Sequence, residues 1–139
     1  MIRIAFSLLF AFAANTCIGQ SHSIAMQFKG VSEYPARIAY EVLNSDAKAI
    51  TAGYVEVQEK QTVYEILVDV GEQFAVQIYE DANRNSILDR GFFTQPLEKY
   101  AFSNDAWQAL SKPDLDEMLV QKTGEKTRLT FTLKSVTDF

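Results

Sequence analysis

Hydrophobic residues recur at every second position along most of this chain, and that period decides its fold class. Ile24, Met26 and Phe28 alternate with Ala25 and Gln27, and Ile38, Tyr40 and Val42 alternate with Arg37, Ala39 and Glu41. Tyr64, Ile66, Val68 and Val70 share one parity, as do Phe74, Val76 and Ile78, and Leu129, Phe131 and Leu133 alternate with threonines. Successive side chains of a strand point to opposite faces, so strict alternation puts one face in a core and the other in water, the antiparallel habit. Gly30, Gly71 and Gly124 fall in the gaps, where turns need a residue tolerant of positive φ. Strand cores are expected near 22–28, 36–43, 53–57, 62–70, 73–80, 117–122 and 127–135. The expectation is all-β: an antiparallel β-sandwich of about seven strands, immunoglobulin-like in arrangement, with a closed barrel as the alternative.

The start of the chain follows another rule. Arg3 precedes an apolar run from Ile4 to Ala14, and Cys17-Ile18-Gly19 forms a small-x-small site before Gln20. That is the layout of a secretory signal peptide, too short to cross a bilayer as a mature helix. Residues 1–19 are therefore read as a leader, and 20–139 as one domain, periplasmic or extracellular. Cys17 is the single cysteine, and Ala14 stands where a lipoprotein signal places a larger apolar residue, so lipid attachment is the lesser reading. Cleavage before Gln20 leaves no thiol, so the core holds the fold without disulfides. Removing Arg3 from the 13 basic residues leaves 12 against 18 acidic ones. Scattered cations and a negative balance argue against nucleic acid as a partner. No apolar stretch of the mature chain is long enough to span a membrane. An envelope glycan or protein is the class of partner left.

The alternation stops between Asp81 and about Glu117. A stretch of that length without strands in a compact domain is generally functional or disordered. This one is rich in apolar residues (Phe92, Phe93, Leu97, Tyr100, Phe102, Trp107, Leu110), which argues for an ordered excursion over one end or edge of the sandwich. Ser103 or Asn104 is placed to cap a short helix running to Leu110, before Pro113.

The excursion opens with YEDANRNSILDRGFF. Asp81, Asn83, Asn85 and Asp89 occupy alternate positions, the spacing of oxygen ligands in a calcium loop, with the Ile87 carbonyl in the backbone-ligand position. Calcium is the one cofactor the residues suggest. Two positions depart from that pattern: Ser86 replaces the glycine of the sharp bend, and Phe92 the bidentate glutamate. Glu98 or Asp105 is available as a late ligand. The competing reading is an Asx-rich turn whose side chains bond their own backbone.

Catalysis finds less support. His22 is the sole histidine and lies close to the mature terminus, on an edge strand or a frayed end, which disfavours a nucleophilic triad or a zinc site. A carboxylate pair from Asp81, Asp89, Glu98, Asp105 and Asp114 is the only route to a glycan hydrolase. The reading adopted is a non-catalytic binding or structural module. The alternative is a carbohydrate- or peptide-binding patch of Phe92, Phe93, Glu98, Tyr100, Phe102 and Trp107, with Trp107 either a core plug or an exposed platform.

The order FAVQIYEDANRNSILD, then PLEKYAFSN, then a proline and a closing hairpin resembles DUF2141, an uncharacterised family of secreted bacterial proteins. The positions that carry the resemblance are Asp81, Asn83, Asn85, Leu88 and Asp89, followed by Pro96, Glu98, Tyr100, Phe102, Ser103 and Asn104. Arg84 and Ser86 stand where the family tends to have glycines, and Gln95 also departs from its pattern. The resemblance implies export and a sandwich related to prealbumin-like domains. It implies no activity.

Overall fold

Alternating apolar residues build strands first, and the strands then find two sheets. The computed structural model describes residues 21–90, 96–108 and 111–138. The leader expected at 1–19, and Phe92 and Phe93, lie outside these. In chain order the strands are β1 (His22–Lys29), β2 (Ala36–Asn44), β3 (Ala49–Val57), β4 (Tyr64–Val68), β5 (Gln73–Glu80), β6 (Tyr100–Phe102), β7 (Val120–Gln121) and β8 (Lys126–Thr132). One sheet is ordered β4-β1-β8; the other is β3-β2-β5-β6, with β7 pairing alongside β5. The fold is a β-sandwich.

The faces follow the sequence period. Ile24, Met26 and Phe28 of β1 meet Ile38 and Val42 of β2, Phe74, Val76 and Ile78 of β5, and Phe131 and Leu133 near the chain end. Phe28 stacks on Phe131 with ring centroids 5.9 Å apart. On the far side of β4, Glu65 and Leu67 face solvent.

Several expectations need correction. β1 and β8 run parallel, in register from Ser23 beside Lys126 to Lys29 beside Thr132. Period-two alternation reports which face is buried and says nothing about the direction of a neighbour. His22 is therefore on the central strand of its sheet rather than an edge, and is 2% exposed.

The excursion holds a strand that the alternation did not reveal. Tyr100–Phe102 pairs antiparallel with β5, Ala101 facing the main core and Tyr100 and Phe102 the opposite side. All three residues are buried, so the segment has no polar parity to read.

The helix expected from Ser103 or Asn104 through Leu110 is a single 3-10 turn, Ser103–Asp105. Asn104 and Asp105 have φ of 62° and 51°, left-handed values that a right-handed helix cannot propagate, and Ala106 is already extended. Residues 109 and 110 lie outside the described segments.

The strand expected at 117–122 is shorter: Glu117 and Met118 end a short helix, α1 (Leu115–Met118), and only Val120–Gln121, β7, is strand. Glu117 Oε2 accepts the Asp114 backbone N–H at 3.2 Å. This reciprocal cap is written in the sequence as Asp-x-x-Glu. β3 also begins earlier than expected, at Ala49, where Ala-Ile-Thr-Ala shows no alternation.

Excursion, α1 and β6 together bury a second cluster on the outer face of the larger sheet: Leu43, Ala75, Tyr100, Phe102 and Met118. That is why β2 and β5 are buried on both faces at one end, where the alternation predicted water.

Candidate functional site

The chain leaves β5 at Glu80 and turns around a buried carboxylate. Asp81 is 1% exposed; its Oδ1 accepts the Asn85 N–H at 3.1 Å and its Oδ2 the Ser86 N–H at 3.0 Å. The Arg37 guanidinium stands 3.9 Å away, so the buried charge has a partner. Asn83 Oδ1 accepts the Asn85 N–H, and Asn85 Oδ1 the Ile87 N–H, each an Asx turn. Both amides then reach one carboxylate: Asn83 Nδ2 is 2.5 Å from Asp89 Oδ2, and Asn85 Nδ2 is 2.8 Å from Asp89 Oδ1.

Glu98 closes the loop from the other side. Its Oε1 accepts the Ala82 N–H at 3.2 Å and its Oε2 the Asp89 N–H at 3.2 Å. Burial pushes its carboxyl above the ordinary range, and the nearby Asp89 and Asp81 charges push the same way, against the two backbone bonds. Four of the five expected calcium ligands thus meet through hydrogen bonds: Asp81, Asn83, Asn85 and Asp89. Ile87 turns its side chain outward, 64% exposed. Asp105 lies in the 3-10 turn beyond β6, and Asp114 caps α1, so neither reaches the loop. Among the described residues no three His, Cys, Asp or Glu side chains gather closely enough to hold a metal by themselves. A cation here depends on the asparagines and backbone as well.

The expected aromatic patch is divided by the fold. Tyr100 and Phe102 are 5% and 8% exposed, packed edge to face at 5.7 Å. Trp107 is half-buried, stacked on Tyr100 at 4.6 Å, with Lys134 Nζ 5.5 Å from its ring. Between the plug and platform readings, the tryptophan is a lid on the second cluster.

A second aromatic surface, of which the sequence reading held only Tyr100 and Phe102, lies across the outer face of the larger sheet. Tyr54, Tyr79 and Tyr100 edge a cavity of about 610 Å³, whose rim includes Ser86, Leu88 and Arg90 from the loop and Lys112 from beyond it. Arg37 lies 3.8 Å over the Tyr54 ring. Burial pushes the Tyr79 hydroxyl up to about 12, helped by the charge of Asp81, by Tyr54 and by Glu98. The signal was available: Tyr54 and Tyr79 sit at the parity opposite to the core positions of β3 and β5, where a soluble sheet face favours polar residues.

The family model described as an uncharacterized protein conserved in bacteria, DUF2141, matches residues 27–130. The chain belongs to that family. No curated protein matches it in sequence. Among solved structures, a pilus-presented adhesin matches with 9% identity and a TM-score of 0.39, over 84% of this chain. The chain spans 27% of the length of that adhesin.

Membership in DUF2141 gives the motif residues a setting. Arg84 and Ser86 adopt φ of 58° and 65°. The bend keeps its left-handed geometry with side chains on it, at a cost of about 1–2 kcal/mol per residue. Arg84 gains a bidentate pair with Glu56 of β3, at 2.8 and 3.1 Å. From the second motif, Glu98 closes the loop, Tyr100 and Phe102 fill the second cluster, and Asn104 takes the left-handed turn while its amide donates to the Glu117 carbonyl.

Proposed function

We propose that this DUF2141 chain is an exported, non-catalytic binding or structural module whose 81–89 loop takes calcium. The observation that carries the reading is the convergence of the Asn83 and Asn85 amides on the two oxygens of Asp89. Turning each amide over exchanges nitrogen for oxygen and sets two neutral oxygens beside a carboxylate, a donor set for a hard cation. Asp81 adds a second charge from the start of the loop, and the Ile87 carbonyl a further oxygen. The turn gives up two Asx bonds and the two amide–carboxylate bonds to Asp89, about 1 kcal/mol each, which keeps the affinity low, on the order of 0.1–1 mM.

The module reading is supported by what the polar groups already do. His22 lies in the interior with Nε2 2.6 Å from Thr127 Oγ1. The carboxylates of Asp81 and Glu98 each hold two backbone amides, the work of a scaffold. Export rests on the leader pattern at 1–19, and among the described residues no helix is long and apolar enough to cross a membrane.

Thermal unfolding in calcium against EDTA tests the reading. At roughly ten to a hundred times Kd, binding to the folded state adds about 1.4–2.7 kcal/mol. For a domain of this size that is a rise of roughly 4–12 °C. Magnesium gives much less, because it dehydrates reluctantly and needs a stricter octahedron. Asp89→Ala removes the rise and Asp138→Ala, outside the loop, keeps it. Equal melting temperatures in calcium and EDTA would show the loop to be a hydrogen-bonded turn alone.

A further inference from the structure

The pairing register lays the outward residues of the larger sheet in rows. Tyr54 lies beside Ala39, Ala39 beside Tyr79, and Tyr79 beside Tyr100, one residue from each of four strands. The next row reads Ala52, Glu41, Gln77, Phe102. Ala39 thus lies between Tyr54 and Tyr79, and Ala52 two residues along β3 from Tyr54, so the two alanines form a floor and the tyrosines stand as walls. The cavity above holds about 610 Å³, within the range of small-ligand sites.

We propose that this groove binds a neutral oligosaccharide, its sugar rings lying against Tyr54 and Tyr79 and its hydroxyls meeting Glu41 and Gln77. The chemistry of the walls selects that class. Ring faces offer flat apolar area with a negative quadrupole, which suits the C–H face of a pyranose. Glu41 and Gln77 on the floor side, with Ser86 on the rim, supply acceptors and donors at short intervals. Charges of both signs line the cavity, Glu41 against Arg90 and Lys112, so a strongly charged ligand meets a like charge whichever its sign. The strands beneath are hydrogen-bonded to each other across the floor, so a peptide lying in the groove finds no backbone to pair with short of the outer edge of β3. Tyr54 is already oriented: it remains 42% exposed while the Arg37 guanidinium packs on its ring.

The inference rests on the binding-module reading and is independent of calcium. Its test is saturation-transfer NMR and calorimetric titration of the full chain with neutral trisaccharides: cellotriose, tri-N-acetylchitotriose and maltotriose. At least one should bind, with transfer strongest at the ring C–H protons. Tyr54→Ala, which removes an exposed side chain from an edge strand, should weaken binding about ten-fold, the value of one good aromatic contact. Ala39→Leu, which raises the floor, should abolish it. Both variants are checked by melting temperature, and Glu59→Ala, in the β3–β4 connection, serves as a folded control with unchanged binding. No binding of any trisaccharide, or binding that both variants leave unchanged, overturns the proposal. So does Tyr54-dependent binding of a proline-rich peptide without saccharide binding. Running each titration in calcium and in EDTA separates the two readings: calcium stabilisation without saccharide binding removes the groove and leaves the loop, and saccharide binding without a calcium shift does the reverse.

Discussion

Ser103 Oγ accepts the backbone N–H of Val76 at 2.9 Å, 27 residues away in the chain. It stands at the point of β5 that neither β6, paired to Gln77–Tyr79, nor β7, paired to Gln73 and Phe74, reaches. A side chain replaces one rung of a ladder there. The same hydroxyl donates to the Met118 carbonyl at 2.5 Å, so it also ties down the end of α1. The serine of the Tyr-x-Phe-Ser-Asn motif is thereby a structural joint, 1% exposed.

Ser103→Ala leaves a buried donor and a buried acceptor without partners. The cost is about 1–3 kcal/mol, a large part of a total stability of roughly 5–15. Thermal unfolding should show a fall of roughly 4–12 °C, against almost none for Ser45→Ala in the exposed β2–β3 turn. Equal melting temperatures for the two variants would place the strength of this junction elsewhere.

The bend of the 81–89 loop predicts a gain. Ser86 at φ 65° carries a side chain where glycine is at ease. Ser86→Gly relieves about 1–2 kcal/mol of backbone strain and forfeits about 0.5–1 kcal/mol of unfolded-chain entropy. The backbone N–H to Asp81 is kept. The net effect is a stabilisation of about 0.5 kcal/mol, roughly 2 °C, read by denaturant or thermal unfolding. A clear loss of stability would mean that the left-handed bend is not the native one.

Two glycines should respond in opposite ways. Gly30 has φ +75°, and a Cβ there would meet the Leu133 carbonyl oxygen at 2.5 Å, a backbone atom that cannot swing aside. Gly30→Ala should cost about 2 kcal/mol or more. Nothing lies within 4 Å of a Cβ at Gly71. Gly71→Ala should be neutral or stabilising, by about 0.4–1 kcal/mol, through the unfolded chain. Urea midpoints of the two variants check the contrast.

His22 makes stability depend on pH. Burial holds its imidazole below the ordinary 6.5, and the Lys122 charge pushes the same way. The fold therefore favours the neutral ring. Its contribution is fully present above the unfolded value and is lost as pH falls through 6.5 toward the lower folded value. Melting temperature should drop between mildly alkaline and mildly acidic buffer, and His22→Gln should flatten that part of the profile. An unchanged profile in the variant would assign the slope to other groups.

Local information carried the class of fold. The core parity of β1, β2, β4, β5 and β8 is visible in the alternation, because a strand repeats every two residues and water rewards burying one side. The oxygen-rich loop was visible too, since Asx turns act over two to five residues. Its left-handed bend at Ser86 was foreshadowed by the calcium-loop pattern, which places glycine there.

What the alternation missed depends on neighbours distant in the chain. Tyr100–Phe102 is apolar on both sides because α1 and Trp107 cover one face while β1 and β8 lie under the other, and a strand buried on both faces loses its period. The parallel pairing of β1 with β8 is decided by which edge of the sheet the last strand can reach. The groove exists only in the register, where Tyr54, Ala39, Tyr79 and Tyr100, dispersed over more than sixty positions of sequence, stand side by side. Parity could place each of these side chains on the outer face; only the tertiary pairing set them in one row.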